Sequence, residues 1–434
     1  MIRRTASLAL KQGQSDTIKV GILGSGITGC TVASTLLQSS SDKKFDITVY
    51  EAGRGVGGRM STRSSFDNDS DEQIYQFDYG CRAIFPPKTE LFRSELERWR
   101  KLGWVKQWNG KFVTIRCGDE SSKNYNNNNQ IIAEDTAEDE ERYVGYPRMN
   151  SICEQLLQTK SNKSTVAVIT QTRAAAFYVQ SAGSRMWQLR HHDNAESKVL
   201  GEYDWLVCTD RNSASTKNVD LRDANIRPFN QLVNENIQSI PICTTMVILD
   251  KPLPITVDAI QIDHANNPTS MTSKFGTLEW ITRDSSKPGR KQYNSDNSKT
   301  NECWVLQSSE QEGKRLLESK RLQGASLEQI RDVIRETMVA DFKNSLPLLM
   351  SSSNACSDDS VRDIPLVVQS FGHRWGAAFP KHIAENNTFK SIDCYLDADK
   401  QFIACGDYFG KCHGSVEGAF LSGRAAAYHL IEKE

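Results

Sequence analysis

The spacing of apolar positions changes character several times along the first part of the chain. Residues 17–24, TIKVGILG, form a short apolar run ending at glycine, which predicts a strand buried on both faces. Residues 27–40, ITGCTVASTLLQSS, carry small residues on their early turns and predict a helix. Residues 45–52, FDITVYEA, alternate and predict a second strand. Strand, helix and strand in that order form a βαβ unit, the start of a parallel sheet.

Further along, residues 164–180 and 186–192 predict paired strands, and residues 203–210, YDWLVCTD, predict another buried strand. Residues 243–254, 275–286 and 301–309 predict strands of a separate sheet. In residues 326–346, Ile330, Val333, Ile334, Met338 and Phe342 share one helical face. Residues 401–410 predict a strand and a turn, and residues 415–431 a helix rich in small residues. Residues 64–76 are expected to be a polar loop. Segments 118–142, 291–302 and 351–360 are polar, and the first is asparagine-rich and then acidic. Too little apolar area is available there to offset ordering entropy, so loops or disorder are expected.

Length and composition narrow the class. A chain of 434 residues suggests two domains. It has 53 basic and 54 acidic residues, so no overall field calls for nucleic acid or an anionic membrane. Eleven cysteines without a C-x-x-C pair, and only seven histidines, give no metal set and no disulfide framework. A reducing compartment, with a soluble intracellular and most simply cytoplasmic protein, is expected. No apolar run reaches the length of a membrane span. Arg3, Arg4 and Lys11, with no acid among them, fit either an organelle-targeting segment (mitochondrial or plastid) or a frayed terminus.

Two glycine patterns carry the candidate chemistry. Gly24-x-Gly26-x-x-Gly29 lies between the first strand and the helix. Gly24 allows the turn, Gly26 lets backbone approach a diphosphate, and Gly29 lets helix and strand close up. The helix start at Ile27 and Thr28 offers free N–H groups and a positive dipole end. Glu51, at the end of the next strand, suits ribose hydroxyls and repels a 2′-phosphate, so FAD or NAD fits better than NADP. The second pattern, Gly53-x-Gly55-x-x-Gly58, follows a strand but opens no comparable helix. It is read as a lid over the same diphosphate, with Arg54 and Arg59 as cationic donors beside Gly57 and Gly58.

The stretch EAGRGVGGRMSTR resembles the second motif of the FAD-dependent amine oxidase superfamily. FDYGCRAIF (77–85) is similar to the segment that follows it, with Tyr79, Cys81 and later Cys405 as departures from the usual pattern. WITRDSSKPGR (280–290), HRWGAAFP (373–380) and CGDYFGKCHGSVEGAFLSGRAAA (405–427) resemble motifs of the renalase-like branch. The resemblance implies an α/β FAD-binding Rossmann-like domain of amine-oxidase type, with a second α+β substrate domain built on an antiparallel sheet. Segments 17–85, 144–225 and 396–434 would form the first, and 86–143 and 226–395 the second.

It also implies roles for particular residues. Gly80 and Gly406 would flank the flavin, and Asp407 would hydrogen-bond the ribityl chain. The helix beginning at Val416 and Glu417 would aim its N-terminus at the flavin pyrimidine. His373, Arg374 and Trp375 are the candidates for the substrate slot, or else core packing. Cys412 is read as a small buried thiol, not a covalent flavin link. No metal site and no hydrolytic triad is expected. The implied enzyme is an FAD-dependent oxidase, acting on a small molecule and oxidising a dihydronicotinamide such as NAD(P)H or an isomer, with oxygen as acceptor. An amine oxidase and a flavin-free escort protein of the same fold are the alternatives.

Overall fold

The computed structural model describes residues 17–66, 73–116, 132–135, 141–181, 184–192, 198–209, 211, 219–220, 227–263, 275–290, 301–319, 322–351, 364–383 and 388–432. The N-terminal segment 1–15 and most of the three polar segments lie outside them. Among the described residues, no helix is long and apolar enough to cross a membrane.

The predicted βαβ unit is present. Strand Thr17–Leu23 lies in the middle of a six-stranded sheet, parallel to Lys44–Tyr50 on one side and Trp205–Cys208 on the other. Thr165–Ile169 extends the sheet beyond Lys44–Tyr50, while Phe402–Ala404 and Tyr395–Asp397 extend it on the far side. Val20, Ile22, Ile47, Val49 and Val207 are fully buried, as near-continuous apolar strands require when helices and a further sheet cover both faces. Helix Ile27–Leu37 packs against the C-terminal helix Val416–Glu432. The helices approach so closely that a Cβ on Gly423 would stand 2.5 Å from the Thr28 carbonyl oxygen, and the first helix sits so close to the turn before it that a Cβ on Gly29 would stand 2.1 Å from that of Gly24.

A seven-stranded sheet faces this layer. Its order runs Val367–His382, Ile237–Leu249, Glu302–Ser308, Leu278–Arg283, Ala259–Asp263, Phe112–Arg116 and Ile132–Asp135, antiparallel except where Ala259–Asp263 meets Phe112–Arg116. Helix Leu327–Ser351 covers one face through Ile334, Met338, Phe342 and Leu346, all fully buried. The architecture is thus α/β, a mostly parallel sheet joined to a mostly antiparallel one.

Three expectations change. The segment 164–180 does not stay in one sheet: Thr165–Ile169 joins the parallel sheet, and only Ala174–Ser181 pairs with Ser184–His191. Residues 64–76 are not simply a loop, since Thr62–Phe66 and Gln73–Asp78 pair as antiparallel strands. Within the acidic segment, Ile132–Asp135 pairs with Phe112–Arg116 and ends the large sheet. Unpaired backbone groups at a sheet edge accept a partner strand even when its composition is polar. Single-segment composition cannot register that long-range gain.

Buried charge ties strand Gln73–Asp78 to the segment that follows strand Leu278–Arg283. Lys287, with no exposed side-chain surface, lies 3.1 Å from Asp78 and 2.6 Å from Asp284. Arg290 contacts Asp78 and donates to the carbonyls of Pro147, at 2.5 Å, and Gly145, at 3.2 Å. Asp78 also accepts from Thr62 Oγ1 at 2.7 Å. Arg290 and Lys287 hold the Asp78 carboxyl below its usual range against the opposing effect of burial, whereas burial pushes Asp284 up to about 6. Removing one member of such a cluster leaves an uncompensated buried charge. Lys287→Met should therefore lower unfolding free energy by about 3–5 kcal/mol. A urea midpoint unchanged from wild type would show that the network is dispensable.

Candidate functional site

A cavity of about 1010 Å³ runs between the two sheets. That size is at the upper end of ligand pockets and suits an extended dinucleotide with room for a second small molecule. At one end it is lined by Gly24, Gly26, Ile27 and Thr28, beside Glu51. The helix start at Gly26 has no side-chain cap and no acid in its first turn, so its leading N–H groups remain available to an anion.

The second glycine pattern lies directly on the first. Gly57 N–H donates to the Ser25 carbonyl at 2.9 Å, and Gly26 and Gly57 form a parallel bridge. The chain turns there through φ of 125° at Gly57 and 53° at Gly58, the left-handed region that favours glycine. The second pattern thus packs on the turn of the first and opens only a three-residue helical turn. Gly58 leads into a single helical turn, Gly58–Met60, that delivers Arg59 to the cavity.

Arg59 then does something the sequence did not indicate. Its guanidinium takes Asp407 in a bidentate pair at 2.5 and 2.6 Å and donates to the Ala378 carbonyl at 2.7 Å. The expected diphosphate cation and the expected ribityl acid are one clamp. Arg54, the other cation of that reading, is exposed in the lid and is not a lining residue. Glu51 is also engaged: it accepts from Ser25 Oγ at 2.6 Å, Ser25 N–H at 3.1 Å and Gly53 N–H at 2.6 Å. Those bonds fix the carboxylate at the cavity's edge, where one of its oxygens, with a single partner, can still receive a ribose hydroxyl.

At the other end, Gly80, Asp407 and Val416 line the cavity with Glu417. Gly406, with φ 144°, sets Asp407 into the turn. Ser415 Oγ caps the C-terminal helix by accepting Gly418 N–H at 3.0 Å. Glu417 accepts Thr89 N–H at 2.7 Å, Thr89 Oγ1 at 2.6 Å and Lys88 N–H at 2.9 Å. Its carboxylate thus ties the start of helix Glu90–Lys101 to the cavity floor. Cys412 is buried behind this loop and does not line the cavity. Burial and Glu417 raise its thiol.

Of the three candidates on strand Val367–His382, only Trp375 reaches the wall. Its Nε1 donates to the Tyr79 carbonyl at 2.9 Å, and its ring stacks on Tyr79 at 5.1 Å and 22°. His373 lies behind them, 4.6 Å from the Trp375 ring. Burial, with Arg331 and Arg63 nearby, pushes its imidazole down to about 4, so it is neutral at ordinary pH. Arg374 points to the opposite, exposed side, as strand alternation requires.

Other lining residues escaped sequence reading. Ile242 and Gln307 come from neighbouring strands, and Arg82 follows the F-D-x-G turn. Arg82 lies inside a motif already noted and was the legible one. Ile242 and Gln307 become neighbours of the cavity only through sheet pairing.

The residues present fit FAD. The cavity joins an uncapped helix start and glycine lid at one end to a second helix start and an acid-bearing turn at the other. A family model, described as an NAD(P)-binding Rossmann-like domain, matches residues 22–96. Among solved structures, the chain is similar to an Exiguobacterium sp. 255-15 protein assigned as a candidate protoporphyrinogen oxidase. The identity is 10%, the TM-score 0.58, and the match covers 96% of this chain and 99% of that one. At that identity the likeness establishes the fold.

Arg59→Ala should cost about 1.5–3 kcal/mol in unfolding free energy, the usual worth of a charged hydrogen bond. Arg59→Lys should recover only part, because lysine lacks the planar fork that grips both carboxylate oxygens. Full recovery in a thermal melt would show that charge alone suffices.

Proposed function

We propose that the chain is an FAD-dependent oxidoreductase of renalase-like type that oxidises a dihydronicotinamide, either NAD(P)H or an isomer. One observation carries this reading. One continuous cavity runs from the Rossmann turn to an aromatic wall on the antiparallel sheet, and among the described residues one glycine pattern opens a βαβ helix. A nicotinamide then has no fingerprint of its own and enters as substrate, ring first, from the sheet side. A bound FAD would supply the two-electron chemistry, taking up the substrate's hydride and passing its two electrons and proton, with one more proton from solvent, to oxygen as hydrogen peroxide.

The chain's own residues supply binding and orientation. Gly24 to Gly29, Glu51 and the lid hold the adenosine and diphosphate, while Gly80, Gly406, Asp407, Val416 and Glu417 frame the flavin end. Trp375 presents a flat wall whose angle is set by its bond to Tyr79, and with Ile242 it excludes water. Hydride transfer needs reacting atoms about 3–3.5 Å apart and aligned, and a fixed planar wall serves that need. Neutral His373 sits outside the wall and moves no proton in this step.

An amine substrate is less well served. The lining carboxylates Glu51, Asp407 and Glu417 already accept two or more donors each, whereas Arg82 lies in the wall without an ion-pair partner among the described residues. With Arg59, Arg82, Lys88, Arg173 and Arg211 set against those three carboxylates, the lining is net cationic and would repel a protonated amine.

Anaerobic mixing with dihydronicotinamide isomers should bleach the flavin absorbance, while simple amines should leave it unchanged. Trp375→Ala should slow that reduction at least ~10-fold, through loosened geometry, with FAD occupancy preserved. Bleaching by an amine alone would replace this reading with the amine oxidase one.

A further inference from the structure

Arg82 is partnered differently from three other cations near it, Lys287, Arg290 and Arg59. Lys287 and Arg290 have Asp78 and Asp284, and Arg59 has Asp407. Arg82 has no carboxylate at ion-pair distance among the described residues. Its Nη1 donates to Gln307 Oε1 at 2.8 Å, and its guanidinium lies 4.0 Å from the centre of the Trp280 ring. Gln307 is itself fixed, because its amide donates to the Gly80 carbonyl at 3.0 Å and the Tyr79 carbonyl at 3.3 Å. The cation is therefore held in one place, stacked on one face and steered on one edge. Among the described residues no acceptor meets its Nε or Nη2, and the side chain lines the cavity.

That arrangement is costly for the protein alone. Burial lowers the Arg82 pKa to about 10, with attraction from Glu279 too weak to offset it and Arg142 adding repulsion. A guanidinium offers a planar fork that matches carboxylate or phosphate oxygens two at a time. An anion entering the cavity would supply the missing partner in a low-dielectric setting, where the pair is stronger than in water. Trp375 and Ile242 line the same cavity, so an apolar or planar body beside the anion would also find a surface.

We propose that Arg82 is a specificity-determining residue, binding a carboxylate or phosphate group of the substrate at the sheet side of the cavity. The placement of that substrate against the flavin rests on the functional reading above, but the anion site itself does not. Gln307 acts as its positioning residue, setting the direction in which the two remaining nitrogens face. For a dihydronicotinamide, the matching group is the phosphate of its nucleotide.

Calorimetric titration of the purified holoprotein with benzoate, phenyl phosphate and benzamide tests this. Benzoate and benzamide have nearly the same shape and differ in charge. Wild type should bind at least one of the two anions at least ~10-fold more tightly than benzamide, consistent with a charge-assisted bond. Comparing benzoate with phenyl phosphate separates a carboxylate site from a phosphate site. Arg82→Met should abolish that preference, with the loss falling on the anions and not on benzamide. Arg82→Lys should restore part of it, and Gln307→Leu should weaken anion binding less than Arg82→Met does. Equal binding of benzoate, phenyl phosphate and benzamide by wild type would overturn the proposal. So would an Arg82→Met protein that keeps its anion preference, or one whose main change is lost FAD. If anions bind as described and no dihydronicotinamide bleaches the flavin, the anion site stands and the dihydronicotinamide reading fails.

Discussion

The bidentate pair between Arg59 and Asp407 is the constraint around which the site is organised. It joins the lid of the first βαβ unit to the turn before the last helix. Neither residue has a reason to be where it is without the other. The lid brings Arg59 down because Gly57 and Gly58 take left-handed turns against the fingerprint. The turn presents Asp407 because Gly406 allows it and the C-terminal helix packs on helix Ile27–Leu37. The Ala378 carbonyl, from the antiparallel sheet, completes the clamp. Three parts of the chain thus meet at one guanidinium, and the cavity is the space they enclose.

A second set of charges fixes the other layer. Asp78, Asp284, Lys287 and Arg290 are buried together. Buried ion pairs of this kind add little net stability relative to apolar packing, yet breaking one member is expensive. Such a cluster acts as a register device. It sets the Gln73–Asp78 strand against residues 284–290, and so sets Gly80 and Arg82 two and four residues further on. The Gly80–Arg82 wall of the cavity therefore inherits its geometry from charges that do not line it.

Much of the glycine-turn end of the cavity was legible in sequence because its signals are local. A strand, a glycine turn and a helix occupy adjacent residues, and Glu51 follows at the next strand end. That Gly53–Gly58 opens no second βαβ helix was legible for the same reason. The substrate end was not. Ile242, Gln307 and Trp375 lie on separate strands, and only pairing register places them together. Arg374 illustrates the limit: it adjoins Trp375 in sequence, but strand alternation turns it to the opposite face. Arg59 shows another limit, since sequence suggests a phosphate-facing cation and the fold gives it a carboxylate. The polar strand Ile132–Asp135 was missed because the pairing that orders it comes from Phe112–Arg116.

The central claim is that this chain encloses one noncovalently held FAD in a cavity shared with its substrate. Acid denaturation of the purified protein, followed by chromatography of the released cofactor against protein content, tests it most directly. The account predicts one FAD per chain, all of it in the soluble fraction. Absence of flavin, release of FMN in its place, flavin retained on the denatured chain, or a second dinucleotide per chain would contradict it.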